Sequence, residues 1–450
     1  MDKIKLLKQR RDTLKSAGKS IRADIVSLTD ENSFVELSAF SFSKDAFYGE
    51  DAHGEGVVTG FATVGGYPFY IVAQNFEQSY GGLTKAGCEK IVKTIAQAEK
   101  NGTSVIYLLH SYGVRVGEGV ETLEGISSLL LKASQASNVT QIAVLCGEVY
   151  GSTAALASLC DFVFFAPKSA LSIASPLVLS AKAGKNLKPE EVGGYTALKN
   201  SLLPSIEVKD LKDAARKIQE IRALLNEPVV DAELNAPVPA LNKTCGAAEL
   251  VKTLEGAIEL GASSCPQVKT VLGRIGGIAV AAVLLDNVAL DAACMRKIND
   301  FTKLSYGYDL PLVLFVDCVG VQQSLSVSDS TLLKEIGRYF RLLDELETPK
   351  ISVVTGKAIG LGYSLFAAKS AGFDYAVSFA NAQIALFESA AGAQIEYAND
   401  KRADQTKLQT LYAEEVADPF NAAKGGYIDD IIEPQFVKQY LIASLQTLAR

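Results

Sequence analysis

Apolar positions in this 450-residue chain fall into short unbroken runs separated by stretches of helical period. That alternation predicts a sheet whose faces are both covered by helices, an α/β architecture. The run Ile142–Leu145 reads as one short buried strand. A turn follows through Gly147, Gly151, Ser152 and Thr153, then a small-residue helix from Ala154 to Leu159, then a second apolar strand led by Asp161. The glycines allow a tight backbone turn, Ser152–Thr153 suit a helix start, and the first-turn N–H groups are left pointing outward. Such a turn is a place to hold an oxyanion. The plainer reading, a tight strand–helix turn that needs glycine only for packing, stands beside it.

The same pattern recurs. Residues 350–379 repeat the apolar strand, the glycine turn, the small-residue helix and the Asp-led strand, with Gly147 matching Gly356 and Gly151 matching Gly360. Upstream, 103–113 pairs with 309–320, placing Gly113 opposite Gly320, and 65–76 pairs with 276–287. Three blocks in one order at a nearly constant offset predict two copies of one α/β domain. The boundaries expected are 1–235 and 236–450, with a linker at Glu227–Ala240 marked by Pro228, Pro237 and Pro239.

Other elements follow from the same pattern. Lys3–Arg11, interleaved with Ile4, Leu6 and Leu7, predicts an amphipathic helix over 1–20. Residues 33–42 alternate as a strand leading to a polar loop with Asp51, His53 and Glu55. A strand at Phe69–Ala73 precedes a helix over 83–100 with Cys88, Ile91, Val92 and Ile95 on one face. A strand at 104–109 and a helix at 120–137 come next. A further helix buries Leu211, Ala215, Ile218 and Ile221, one at 246–260 opens the second copy, and 433–450 closes the chain.

A formal charge of -7 leaves no basic stripe for nucleic acid. Seven scattered cysteines without a C-x-x-C pair predict reduced core residues in the cytoplasm. The longest apolar run, near Ile275–Leu285, is too short for a membrane span, and no leader sequence is expected. Two histidines leave little room for histidine catalysis: His110 and Ser111 are neighbours on a strand, so their side chains diverge, and no G-x-S-x-G elbow occurs. Gly147–Thr153 is one residue short of a phosphate loop and lacks its lysine. No zinc-ligand spacing is evident, and no metal is expected. A reaction run by backbone donors needs none of these groups.

At these residues the chain resembles the carboxyltransferase subunits of biotin-dependent acyl-CoA carboxylases and decarboxylases, from SFVEL through GEGVVTGFATVGGYPFYIVAQNF to GYIDDIIEP. The resemblance implies two tandem crotonase-like (ββα spiral) domains related by duplication. The first would take acyl-CoA and the second carboxybiotin, with the active site between domains of different subunits. It places an acyl-side oxyanion pair on Gly151 and Ser152 and a biotin-side pair on Leu361 and Gly362. It places substrate and cofactor contacts at Gly360, Tyr363, Ser364, Tyr112, Gly113 and Arg115. It also implies biotin on a partner, a biotin carboxyl carrier protein, with biotin carboxylase or decarboxylase subunits, and a homo-oligomer, either a dimer or a ring of three dimers. Cys294-Met295-Arg296-Lys297 is not a biotinylation site, so biotin comes from another chain.

The family motif is altered at several positions. Ser152 and Leu361 stand where the family keeps small residues, and Tyr112 replaces a glycine. Val319–Gln323 replaces a proline- and glycine-rich loop. Three functions stay open at this point: transfer of CO2 to a short acyl-CoA, biotin-dependent decarboxylation of a malonyl-type thioester, and a non-catalytic carboxyltransferase-like subunit.

Overall fold

The computed structural model describes residues 2–41, 56–226, 236–243, 245–322, 330–398 and 404–448. The predicted amino-terminal helix is two helices, α1 (Lys3–Ala17) and α2 (Lys19–Leu28), broken at Gly18. Only Leu14 of α1 is buried, whereas α2 buries Ile21, Ile25 and Leu28. The expected strand at 33–42 shortens to β1 (Val35–Leu37), and the polar loop with Asp51, His53 and Glu55 lies outside the described residues.

The chain divides into two compact units, Met1–Arg222 and Ala223–Arg450. In the first, β2 (Val57–Val64) and β3 (Tyr67–Gln74) form an antiparallel hairpin through Gly65–Gly66, both at positive φ. The Asp30 carboxylate accepts both of their N–H groups at 2.8 Å. Helix α3 (Lys85–Asn101) carries the chain to β4 (Ser104–Ser111), and α4 (Val120–Gln135) carries it to β5 (Gln141–Tyr150). Then follow α5 (Ser152–Ser158), β6 (Phe162–Phe165), β7 (Ala170–Ser172), α6 (Pro176–Ala183), α7 (Tyr195–Lys199), β8 (Ser205–Glu207) and α8 (Leu211–Asn226). The strand order is β1-β2-β3-β4-β5-β6-β8, with β7 added on β5 and parallel pairing from β3 onward. The period in α3 places Cys88, Ile91, Ile95 and Ala98 against Val105, Tyr107 and Leu109 in one core. On α8 the buried face is Ala214, Ile218, Ile221 and Leu224 rather than one through Leu211 and Ala215.

The second unit repeats this plan. Helix α9 (Ala247–Val251) is only five residues long, and Glu255–Leu260 is a strand, β9, not the tail of a helix over 246–260. The hydrophobic spacing there is compatible with either state, and antiparallel pairing with β10 (Val268–Ile275) decides for the strand. Then come β11 (Ile278–Leu285), β12 (Val288–Leu290), α10 (Ala292–Gly307), β13 (Leu312–Val321), α11 (Ser330–Glu345), β14 (Lys350–Ile359), α12 (Leu361–Phe366), β15 (Tyr375–Phe379) and β16 (Gln383–Ala385). The unit ends with α13 (Ser389–Glu396), α14 (Gln405–Leu411), α15 (Pro419–Lys424), β17 (Asp430–Ile432) and α16 (Val437–Leu448). Its main path, β17-β15-β14-β13-β11-β10-β9, matches that of the first sheet, with β16 on β14 as β7 is on β5, and β12 on β13 is an addition.

Register makes the duplication physical. The β4–β5 ladder shifts between Leu109 and Ser111, and the β13–β14 ladder shifts between Val316 and Cys318. The Asp161 carboxylate accepts the first N–H of β5, from Gln141 at 2.7 Å, and Asp374 accepts the first N–H of β14, from Lys350 at 2.8 Å. The aspartate leading each neighbouring strand is therefore a clamp that fixes the start of the central one.

Candidate functional site: paired strand–helix turns

Strands β5 and β14 run further than the apolar run Ile142–Leu145 implied. Each passes through its first repeated glycine before turning at the second. Gly147 is therefore a strand residue rather than part of the turn. A Cβ there would lie 2.6 Å from His110 Nε2, and one on Gly356 would lie 2.6 Å from Asp317 Oδ1. These glycines make room for a side chain on the neighbouring strand. The His110 ring instead stacks on Phe76, centroids 3.7 Å apart, and burial pushes its pKa down to about 4.

The turns themselves are alike. Gly151 has φ 64° and ψ -132°, and Gly360 has φ 54° and ψ -121°, a backbone conformation that glycine alone adopts freely. Each glycine N–H is already engaged. Gly151 donates to the Ser172 carbonyl on β7 at 3.1 Å, and Gly360 donates to the Ala385 carbonyl on β16 at 2.8 Å. The Gly151 N–H, expected to be an oxyanion donor, is thus engaged within the sheet. The next two N–H groups, on Ser152 and Thr153, have no acceptor within their own helix. Their counterparts in the second turn are Leu361 and Gly362.

Gly113 (φ 106°) and Gly320 (φ 100°) close over these turns. A Cβ on Gly113 would touch the Tyr150 carbonyl at 3.4 Å, and one on Gly320 the Ile359 carbonyl at 3.2 Å. Behind the first turn lies a polar network that sequence reasoning missed. Thr153 Oγ1 donates to Ser111 Oγ at 3.2 Å, Ser111 Oγ donates to the Gly81 carbonyl at 2.7 Å, and Gln74 Nε2 donates to Thr153 Oγ1 at 3.3 Å. Ser111 is thus a structural linker. In the second turn these two places fall to Cys318 and Gly362, where a Cβ on Gly362 would lie 2.8 Å from Cys318 Sγ. Isolated hydroxyls and amides far apart in sequence gave no signal for the network.

The remaining predicted positions differ in their exposure. Tyr112 is 38% exposed, donates to Glu148 Oε2 at 2.6 Å and stacks on Tyr80 at 5.7 Å. Burial, with the Glu148 carboxylate, pushes its hydroxyl up to about 12. Arg115 is only 5% exposed, with its guanidinium turned toward Gly56. Tyr363 donates to the Tyr427 carbonyl at 3.3 Å, beside partly buried Ser364, and Leu361 is 45% exposed at the mouth of its turn. Among the described residues no helix is long and apolar enough to cross a membrane.

Two sheets of the same strand order, each ending its central strand in a glycine turn, make a two-domain crotonase-like fold. The chain belongs to the carboxyl transferase domain family, whose model matches residues 15–450. It is 26% identical to the methylmalonyl-CoA decarboxylase subunit alpha of Veillonella parvula over 100% of this chain and 96% of that one. It is 27% identical to the propionyl-CoA carboxylase beta chain of Saccharopolyspora erythraea, covering 96% and 88%. The fold matches transcarboxylase 12S, solved as a hexamer with methylmalonyl-coenzyme A and methylmalonic acid bound, with a TM-score of 0.88 at 24% identity. That match covers 99% of this chain and 95% of the other. The Veillonella and Saccharopolyspora relatives are subunits of an acyl-CoA decarboxylase and of an acyl-CoA carboxylase.

Proposed function

We propose that the chain transfers CO2 between carboxybiotin, carried on a partner protein, and the α-carbon of a short acyl-CoA. The first unit takes the thioester and the second takes the biotin. The observation that carries this is the duplicated turn: equivalent glycines at Gly151 and Gly360 have nearly the same φ and ψ and have their own N–H groups engaged by equivalent strands. Deprotonating the α-carbon moves charge onto the thioester oxygen. The N–H groups of Ser152 and Thr153 stabilise that charge where it develops, and one such donor is worth about 2.7–4 kcal/mol in a transition state.

The second turn fits an oxyanion on the same grounds, through the N–H groups of Leu361 and Gly362. Carboxybiotin supplies the CO2 and a basic ureido nitrogen, so the chain needs no histidine of its own. Gly360, Tyr363 and Ser364 shape the biotin side, and Tyr112 and Gly113 the acyl side. Arg115 acts from beneath its loop.

Relatives named for decarboxylation and for carboxylation match at 26% and 27% identity, so both directions are carried forward. The proposed setting is a cytoplasmic homo-oligomer working with a biotin carboxyl carrier and a biotin carboxylase or decarboxylase partner. With a biotinylated carrier added, labelled carboxyl is expected to pass to acetyl-, propionyl- or crotonyl-CoA, and back from the carboxylated thioester. Transfer to none of them, together with no acyl-CoA binding by isothermal titration at millimolar ligand, would leave the non-catalytic reading instead.

A further inference from the structure

The turn between β9 and β10 carries Cys265, and the start of α10 carries Asp291 and Cys294. The two sulfurs and a carboxylate oxygen lie within 4.8 Å of one another. Cys294 is buried, and Cys265 and Asp291 are partly buried beside it. We propose that these three side chains form a binding site for a thiophilic divalent cation of the zinc class, which ties the β9–β10 turn to the first turn of α10.

The surroundings support a built site. Asp291 caps α10 by accepting the Cys294 N–H at 2.7 Å, an outer hydrogen bond of the kind that orients a ligating carboxylate. Cys265 is held at φ 46°, a left-handed conformation uncommon outside glycine and asparagine. The turn that holds it there is anchored by Lys297, whose buried ammonium donates to the carbonyls of Gly261 at 3.0 Å, Ser264 at 2.7 Å and Val268 at 2.6 Å. All three ammonium protons are thereby used.

Chemistry favours a cation over a redox pair. Three acidic groups packed together oppose one another's ionisation, and a divalent ion among them reverses that. Two thiolates and a carboxylate, with a fourth position open to water, make a tetrahedral donor set for zinc. The bound ion leaves one net negative charge, which Lys297 balances. Disulfide exchange needs a free thiolate, and a carboxylate in contact with the thiol suppresses it. Binding releases both thiol protons to solvent and changes no oxidation state. The site lies on the same carboxyl edge of the sheet as the Gly360 turn, and cation binding there does not depend on the proposed reaction.

The test uses the untagged full-length chain, stripped of metal under reducing conditions and titrated with Co2+ and then Zn2+. One equivalent of Co2+ is expected to give a thiolate-to-cobalt charge-transfer band that Zn2+ abolishes. The band should vanish in Cys265→Ser and in Cys294→Ser. Asp291→Asn keeps an N-cap and so keeps the helix start, and it should weaken Zn2+ binding by at least about tenfold. That variant decides the matter if either serine variant fails to fold. The proposal is overturned if no stoichiometric band forms, if the band survives both serine substitutions, or if Asp291→Asn binds Zn2+ unchanged. A Cys265–Cys294 disulfide in protein isolated without reductant would also overturn it and leave a redox pair.

Discussion

Gly147→Ala perturbs the point where the two strands behind the first turn approach. The backbone there is ordinary extended strand, so alanine meets no conformational barrier and returns about 0.5–1 kcal/mol of unfolded-state entropy. Against this, its Cβ would lie 2.6 Å from His110 Nε2, inside any tolerable contact. The ring must retreat from Phe76, on which it stacks at an interplanar angle of 7°, a contact worth about 0.5–1.5 kcal/mol. Overpacking of this kind costs about 1–3 kcal/mol, so a net loss of roughly 2 kcal/mol is expected. The assay is a double-mutant cycle by urea unfolding at fixed chain concentration. It is followed by far-UV circular dichroism and tyrosine fluorescence, since the chain has 17 tyrosines and no tryptophan. With His110→Ala already present, Gly147→Ala should become neutral or slightly stabilising, a coupling of about 1.5 kcal/mol or more. If the cost of Gly147→Ala is the same with and without the imidazole, the spacing argument is wrong. Gly356→Ala should cost more, because Asp317 must be pushed off the Lys357 N–H that it accepts at 2.8 Å.

Burial depresses His110 from its ordinary 6.5 to about 4, so the unfolded chain binds a proton that the native chain refuses between those pH values. Stability is therefore full above pH 6.5 and falls as the pH drops toward 4, by roughly 2 kcal/mol after discounting for partial exposure. Urea midpoints at pH 7.5 and 5 should diverge less in His110→Gln than in the unaltered chain, and equal divergence would remove the assignment. Ser152→Pro deletes one first-turn N–H at a position where helices accept proline, and should lower kcat by about 10²–10³ while Ser152→Ala leaves it nearly intact. Leu361→Pro should do the same on the biotin side, read in the carboxybiotin half-reaction. Thr153→Val breaks the bridge between Ser111 and Gln74 and should lower unfolding stability by about 1–2 kcal/mol. An unchanged urea midpoint would show that the network contributes nothing.

The sequence by itself determined the duplicated architecture and the place of both turns. Sheet strands buried on two faces must be apolar runs, and a turn at φ near +60° with ψ near -125° must be glycine, so Gly151 and Gly360 announce themselves. What it could not determine depends on which distant groups arrive beside those residues. Only the fold shows that strands β7 and β16 take the N–H groups of Gly151 and Gly360. Only the fold gives Gly147 its reason, an imidazole on the adjacent strand, and turns Glu255–Leu260 from helix to strand by offering it an edge. Cys265 and Cys294 show no ligand spacing along the chain and meet because a β-turn and a helix start share one edge of the sheet. Backbone conformation is written in local residue type; hydrogen-bond partners and side-chain clusters are set by long-range contacts that local pattern does not encode.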